Sequence, residues 1–145
     1  LARKVYVDKS YEAGDAGLKF DLKIESEPLE IDGDAEALNQ LLANLVDNAI
    51  KYNRVGGTVE MKLFKRGLIC LVQIEDTGIG ISSDEKERIF ERFYRVDKAR
   101  AKIAGGTGLG LAIVKHIVEA HNELVYVESS LNVGSEFSFT LTKSN

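Results

Sequence analysis

Alternating apolar and polar residues mark several half-buried β-strands along this chain. The first run, residues 18–24, sets four apolar side chains on one side and three charged ones on the other. The same alternation recurs at residues 58–63 and 70–74, separated by a short polar break, which predicts an antiparallel hairpin. A second pair of strands is predicted at residues 125–127 and 137–141, connected through a glycine.

Helical periodicity is present in three further places. The clearest helix follows Asp34, a possible N-cap, and carries a leucine-rich stripe as far as residue 50. Ser82 and Glu85 have the spacing of a capping box and predict a second helix that continues to residue 93. A third helix is predicted from about residue 107 to residue 121, and it is apolar on more than one side.

Together these elements predict an α+β fold. Strands interspersed with helices but joined by hairpins indicate a two-layer α/β sandwich, in which three helices cover one face of a mixed, mostly antiparallel sheet. A length of 145 residues, of which 44% are hydrophobic, suits a single domain over residues 1–145. The charged stretch 95–106 has no usable periodicity and ends in two glycines, so it is expected to form a mobile loop.

Composition excludes several classes of function. A formal charge of -4 provides no general surface for nucleic acid, which usually needs clustered basic residues. Cys70 is the single cysteine, so an internal disulfide is impossible, and its alternating apolar setting predicts burial. The sequence contains neither the run of about 20 apolar residues needed to span a bilayer nor a signal peptide. We expect this domain to be soluble and cytoplasmic, and a membrane anchor in a longer parent protein remains open.

The first candidate for chemistry is a polar stripe on the leucine-rich helix. Asn44, Asn48 and Lys51 are spaced by four and three residues, so they share one face of the helix. Amide oxygens can ligate a hard cation such as Mg²⁺, and a lysine can meet a phosphate. Asparagine is a poor residue inside a helix, which favours a binding role, although a solvated polar face is the alternative.

Two glycine-rich segments are the other candidates. Asp76-Thr77-Gly78-Ile79-Gly80 follows a predicted strand, and its carboxylate could accept a hydrogen bond from an exocyclic amine beside flexible backbone. Residues 105–111 lead from a loop into a helix, where free backbone N–H groups can cradle phosphates. They match neither a dinucleotide fingerprint nor a Walker P-loop. An ordinary Asp-Gly turn and a tight packing turn are the alternatives.

Four motifs in this order resemble the histidine kinase catalytic domain of the GHKL superfamily, over nearly the whole chain. Residues Gln40 to Tyr52 are similar to its N box, and Asp76-x-Gly78-x-Gly80 to its first glycine box. Residues 90–95 resemble its F box, and residues 106–111 its second glycine box. The F box favours a histidine kinase, because gyrase-like and mismatch-repair relatives, and the serine kinases that act on anti-sigma antagonists, lack it. The resemblance implies the Bergerat ATP-binding fold.

The resemblance also implies roles for individual residues. Asn44 would be the principal Mg²⁺ ligand, Asn48 and Lys51 would lie near the phosphates, and Asp76 would read the adenine amine. The family closes a lid over ATP, and the predicted mobile loop would be that lid. The remaining nucleotide-binding positions lie against the base, in the two glycine boxes, at the hinge of the lid and in a late strand. They are Tyr52, Gly78, Gly80, Tyr94, Arg95, Gly106, Thr107, Gly108, Leu109, Gly110 and Ser135.

The implied function is that of the ATP-binding catalytic domain of a two-component sensor histidine kinase, with ATP and Mg²⁺ as cofactors. The family's phosphoacceptor lies in a His-Glu-x-x-x-Pro motif on a separate dimerising helical hairpin, and neither His116 nor His121 has that setting. We expect His116 to be a core or interfacial residue and His121 to favour the helix dipole. Expected partners are the histidine-bearing dimerisation domain and a downstream response regulator, and the isolated domain is expected to be monomeric.

Two other functions remain open at this point. A gyrase-type ATPase would need a carboxylate general base four residues before the Mg²⁺ asparagine, where this chain has Gln40. A degenerate, nucleotide-binding docking module is the second alternative.

The turn after the third helix departs from the family's pattern. The family's usual glycine is replaced there by Asn122-Glu123. Because Asn122 can adopt a left-handed conformation, we expect a shifted helix cap.

Overall fold

The computed structural model describes residues 1–25, 33–92, 94 and 110–142. Three helices lie within these ranges: α1 (Ala2–Asp15), α2 (Ala35–Lys51) and α3 (Gly110–Ala120). The same ranges contain five strands: β1 (Lys19–Ile24), β2 (Thr58–Arg66), β3 (Ile69–Asp76), β4 (Val125–Ser130) and β5 (Gly134–Thr142).

The five strands of the described chain form one mixed sheet in the order β1-β2-β3-β5-β4. β1 and β2 are parallel, because α2 carries the chain back between them, and every other neighbouring pair is antiparallel. Both predicted hairpins are therefore confirmed. The helices pack on one face of this sheet around a continuous apolar core, which confirms the predicted α+β two-layer fold.

α2 is the central helix of the helical layer, and its sequence explains its position. The Asp34 side chain accepts a hydrogen bond from the Ala37 N–H at 3.1 Å, so the predicted N-cap is confirmed. The leucine-rich stripe is buried against the sheet and the neighbouring helices. Burial of each leucine side chain contributes about 1.5–3 kcal/mol to folding. The polar stripe of α2 lies to one side of this buried face, where Asn44 and Asn48 are half-buried.

α1 was not predicted, and its composition explains why. Its buried positions are mostly small, and one of its contacts with α2 is an ion pair of 2.8 Å between Lys9 and Asp47. Val7 and Tyr11 are exposed, which blurs the apolar periodicity. Its C-terminal end has the usual glycine stop: Gly17 has φ +75°, and the Leu18 N–H donates to the Ala13 carbonyl at 2.9 Å.

The predicted second helix, from residue 82 to residue 93, was wrong in the described residues. Residues 83–90 form consecutive turns, in which the N–H groups of Glu85 and Arg88 bond to carbonyls three residues back. Ile89 bonds four residues back, as in an α-helix. Residue 93 lies outside the described residues.

The ends of this turn segment are fixed to the sheet. The Ile81 N–H donates to Ser129 at 2.7 Å, and the Phe90 ring lies edge-on to Phe137 with centroids 6.2 Å apart. A short segment held at both ends gains little from a helical ladder, whose first turn is costly to form. The predicted apolar burial is nevertheless present, since Ile89 is buried.

α3 ends as the sequence indicated. Asn122 has φ +61°, and the Glu123 N–H donates to the Val118 carbonyl at 3.1 Å, which completes a left-handed helix cap without glycine. The core alternative for His116 was wrong, because α3 buries positions 114, 117 and 118 and leaves His116 exposed, while its interfacial alternative stays a prediction. No helix in the described part of the chain is long and apolar enough to cross a membrane.

His121 connects α3 to the start of α2. Its Nδ1 lies 2.8 Å from the Ile117 carbonyl, and its Nε2 accepts the Asp34 backbone N–H at 3.2 Å. When Nε2 accepts the Asp34 N–H, the ring proton lies on Nδ1, which then donates to the Ile117 carbonyl. His121 thus contacts a carbonyl of the last turn of α3 and also forms a hydrogen-bonded link to the start of α2.

Candidate functional site

A single cross-strand row passes through the centre of the candidate site. The strand register places Phe20 beside Val59, Val59 beside Asp76, Asp76 beside Ser135, and Ser135 beside Ser129. Side chains paired in this way share one face of the sheet, here the face that carries the helices. The row is apolar and buried on its β1–β2 side and becomes polar at Asp76. A carboxylate is thus placed where a hydrophobic floor meets hydrogen-bonding groups.

The Asp76 carboxylate is held in a defined orientation. Its Oδ1 accepts the backbone N–H of Gly78 at 2.9 Å and that of Ser135 at 3.3 Å. Burial raises the pKa of Asp76 from 3.8 to about 6, against the two N–H donors, which favour the charged form. Both donors meet Oδ1, so Oδ2 remains the acceptor available for a ligand on this side of the sheet.

Two glycines allow the loop after Asp76 to pack closely on its neighbours. A Cβ at Gly78 would lie 2.2 Å from the Tyr52 carbonyl oxygen, so no larger residue fits there without movement of the backbone. Gly80 has φ +71°, and a Cβ would lie 2.0 Å from the Ser130 carbonyl oxygen. The first glycine box is therefore confined between the end of α2 and the β4–β5 turn.

Polar side chains fix this loop from the α2 side. Asn53 is buried and donates from Nδ2 to the Thr58 carbonyl at 2.9 Å. The Thr58 N–H in turn donates to Thr77 Oγ1 at 2.8 Å, and the Ile79 N–H reaches the Tyr52 carbonyl at 3.0 Å. The residue that follows Asp76 is thereby tied to the start of β2 and to the end of α2.

The predicted polar stripe lies on α2, beside the start of α3. Asn44 and Asn48 are half-buried, Lys51 is exposed at the last position of the helix, and Tyr52 follows it as the C-cap. Asn44 Nδ2 makes a long contact of 3.5 Å with the Gly110 carbonyl, which leaves the amide oxygen directed elsewhere. Gly110 is the first residue of α3, so the N box and the end of the second glycine box are adjacent.

Part of the predicted site lies outside the described residues: Arg95, Gly106, Thr107, Gly108, Leu109 and the rest of the predicted mobile loop. Tyr94 is described, and the Arg88 guanidinium lies 4.5 Å from its ring centroid. Ser135 is buried on β5, and the strand register places it next to Asp76. Of the predicted residues that are described, the structure brings those of the first glycine box and Ser135 into one cluster.

The sequence analysis missed the residues that support this cluster. Asn53, Thr77 and Ser129 all bond to the loop or to its flanking strands. Thr77 and Asn53 could have been suspected from their places next to Asp76 and Tyr52. No nearby motif marks Ser129, because its contacts with this cluster depend on the pairing of β4 with β5.

Comparisons with known proteins agree with this geometry. Residues 33–145 match the family described as "Histidine kinase-, DNA gyrase B-, and HSP90-like ATPase". Among curated proteins, the chain is 48% identical over 109 residues to the sensor-like histidine kinase SenX3 of Mycolicibacterium smegmatis, over 75% of this chain and 28% of that protein. The chain thus spans about a quarter of the length of such relatives.

Solved structures give the same result. The catalytic domain of histidine kinase ThkA superposes with a TM-score of 0.85 at 29% identity, covering 98% of this chain and 90% of that one. Full-length ShkA in complex with AMPPNP gives a TM-score of 0.85 at 30% identity, over 99% of this chain and 30% of that one. ThkA is also known in complex with the response regulator protein TrrA, with a TM-score of 0.81 at 26% identity, over 98% and 39% of the two chains.

The fold, the half-buried Asp76 with its two glycines, and the matched residues 33–145 all lead to one assignment. This chain belongs to the histidine kinase-, DNA gyrase B- and HSP90-like ATPase family, and within it resembles the catalytic domains of sensor histidine kinases.

Proposed function

We propose that this domain binds Mg²⁺-ATP and donates the γ-phosphate to a histidine on a separate dimerisation domain of the same kinase. The observation that carries the proposal is the Asp76 carboxylate, whose Oδ1 is fixed by two backbone N–H groups beside close-packed glycines. Its other oxygen can accept a hydrogen bond from the exocyclic amine of adenine. Gly78 and Gly80 hold the loop close to the end of α2 and to the β4–β5 turn, which keeps this oxygen in a fixed setting.

The polar stripe of α2 suits a metal and phosphates. Asn44 would hold Mg²⁺ through its amide oxygen, the type of ligand that this cation prefers. Its Nδ2 is directed at the Gly110 carbonyl, which supports that orientation of the amide. Asn48 and Lys51, on the same face, would meet the phosphates, and Tyr52 would contact the base. When bound, Mg²⁺ supplies charge neutralisation at the phosphates.

The transfer itself depends on positioning and charge more than on a nucleophile in this domain. Arg95 and the second glycine box, Gly106 to Gly110, complete the proposed site on the phosphate side, with Tyr94 at the lid hinge. The attacking histidine would come from the dimerising hairpin, and a response regulator would receive the phosphoryl group. That a kinase of this fold binds such a partner is documented for ThkA with TrrA.

Phosphotransfer to a supplied hairpin tests the kinase function. The domain is mixed with the histidine-bearing hairpin of a close relative such as SenX3 and with ATP labelled at the γ-phosphate. Label in the hairpin that is acid-labile and absent when the hairpin histidine is replaced by alanine is the expected result. Steady release of phosphate by the isolated domain would favour an ATPase, and tight ATP binding without transfer would favour a docking module.

The preference for ATP over inosine triphosphate should depend on pH. Asp76 must be ionised to accept from the amine, and its pKa in the free domain is about 6. The preference should be constant well above that pH and should fall by up to about tenfold per pH unit below it. Competition titrations with the two nucleotides measure this, and their common triphosphate cancels protonation of the phosphates. A preference that is unchanged down to pH 5 would contradict the role of Asp76.

Replacement of the proposed metal ligand should remove the effect of Mg²⁺ on the affinity for ATP, while ATP itself should still bind. In Asn44→Ala, the affinity for ATP with Mg²⁺ should fall to about that measured with a chelator present, because the amide oxygen is lost. Affinity without Mg²⁺ should change little. Calorimetric titrations of wild type and variant, each with and without Mg²⁺, give the four values. An equal Mg²⁺ effect in both proteins would exclude Asn44 as the ligand.

A further inference from the structure

Ser129 occupies the last position of β4 whose side chain faces the candidate site, and its hydroxyl joins three parts of the fold. Its Oγ accepts the Ile81 N–H at 2.7 Å, lies 2.9 Å from the Gly134 carbonyl and lies 2.7 Å from Ser135 Oγ. A hydroxyl has one proton to donate and two lone pairs with which to accept. The arrangement is fully satisfied when Ser129 donates to Gly134 and accepts from Ile81 and Ser135.

Two of these bonds end on backbone and the third on the Ser135 hydroxyl, in the two segments that orient Asp76. The Ile81 bond fixes the far end of the loop whose Gly78 N–H holds Asp76 Oδ1. The bonds to Gly134 and Ser135 fix the start of β5, whose Ser135 N–H holds the same oxygen. Ser129 does not itself contact the carboxylate in this set of bonds.

We propose that Ser129 is a positioning residue for base recognition, acting through both N–H donors to Asp76. This inference rests on the proposed nucleotide site. Without the Ser129 hydroxyl, the Ile81 N–H and the Gly134 carbonyl lose a half-buried partner, and the loop and strand can separate. Oδ2 then no longer keeps a fixed direction toward the amine. The consequence is a loss of selectivity for the base, beyond any general loss of affinity.

The test compares ATP with inosine triphosphate, which has a carbonyl where ATP has the amine. In Ser129→Ala, the preference for ATP should fall by about tenfold, equal to about 1.4 kcal/mol. Ser129→Thr keeps the hydroxyl and should retain most of the preference. Ser138→Ala is the matched control, because it removes a serine hydroxyl from β5 on the opposite face of the sheet, and it should leave the preference unchanged.

The outcomes separate this inference from the proposed function. If wild type does not bind ATP, the proposed function itself fails. If wild type prefers ATP but Ser129→Ala weakens both nucleotides by the same factor, Ser129 is structural and the inference is overturned. If Ser129→Ala does not fold, Ser129→Cys decides, since a thiol of similar size makes only weak hydrogen bonds. A Ser129→Cys protein with the full wild-type preference would likewise overturn the inference.

Discussion

Asp76→Asn should weaken ATP binding by about 100-fold and at the same time stabilise the unliganded domain. The amide oxygen can still accept from Gly78 and Ser135, but the group that faces the ligand becomes a donor, and it meets another donor in the adenine amine. Loss of one charge-assisted hydrogen bond and the resulting donor–donor contact account for the loss of affinity. Calorimetry of ATP binding measures it.

The gain in stability follows from the cost of burying the Asp76 charge. The pKa of Asp76 is raised from 3.8 to about 6, so its effect on stability is most favourable below pH 3.8 and is lost as the pH rises through about 6. Two pKa units correspond to about 3 kcal/mol. Asp76→Asn should therefore exceed wild type in free energy of unfolding by about 2–3 kcal/mol near pH 8 and by little near pH 4.

Urea unfolding of both proteins at the two pH values gives this difference directly, because effects of other titrating groups cancel between them. A variant that binds ATP as tightly as wild type would exclude Asp76 from base recognition. A variant that is less stable than wild type near pH 8 would show that the carboxylate is stabilising, contrary to the burial argument.

Gly80→Ala should cause a large loss of stability. The new Cβ would lie 2.0 Å from the Ser130 carbonyl oxygen, and the residue would retain φ +71°. Left-handed backbone costs an alanine about 1–2 kcal/mol, and displacement of the β4–β5 turn adds to it, so the free energy of unfolding should fall by about 3 kcal/mol or more. Because the loop carries Asp76, ATP affinity should fall as well.

Gly67→Ala separates the two causes. Gly67, in the β2–β3 turn, has φ +62°, but a Cβ there would have no atom within 4 Å. The free energy of unfolding of Gly67→Ala should therefore fall only by the cost of the left-handed backbone, about 1–2 kcal/mol. Equal losses for Gly67→Ala and Gly80→Ala in urea unfolding would mean that the close packing of Ser130 on Gly80 contributes nothing.

Sequence reasoning succeeded where one short pattern decides the structure. The α2 stripe and its Asp34 cap depend on neighbours three and four residues away, and the hairpins depend on period-two alternation. The left-handed Asn122 could also be predicted, since asparagine tolerates that conformation. In each case the energy that selects the structure arises within a few residues of chain.

Prediction from the sequence failed where contacts between distant parts of the chain decide the structure. α1 is held by small residues and by the Lys9–Asp47 pair, whose partner is distant in sequence. The turns at residues 83–90 replace the predicted helix because their ends are fixed to Ser129 and Phe137. The positions of the candidate binding residues came from motif resemblance, whereas the support of Asp76 by Ser135 and Ser129 required the strand register.

Titration calorimetry of the isolated domain with AMPPNP, a non-hydrolysable ATP analogue, tests the central claim most directly. We predict binding that is strengthened by Mg²⁺, and that is weakened by about 100-fold in Asp76→Asn. The Ser138→Ala protein, altered on the far face of the sheet, should bind as wild type does. Absence of binding by the folded wild-type domain, with or without Mg²⁺, would contradict the account and favour a docking module.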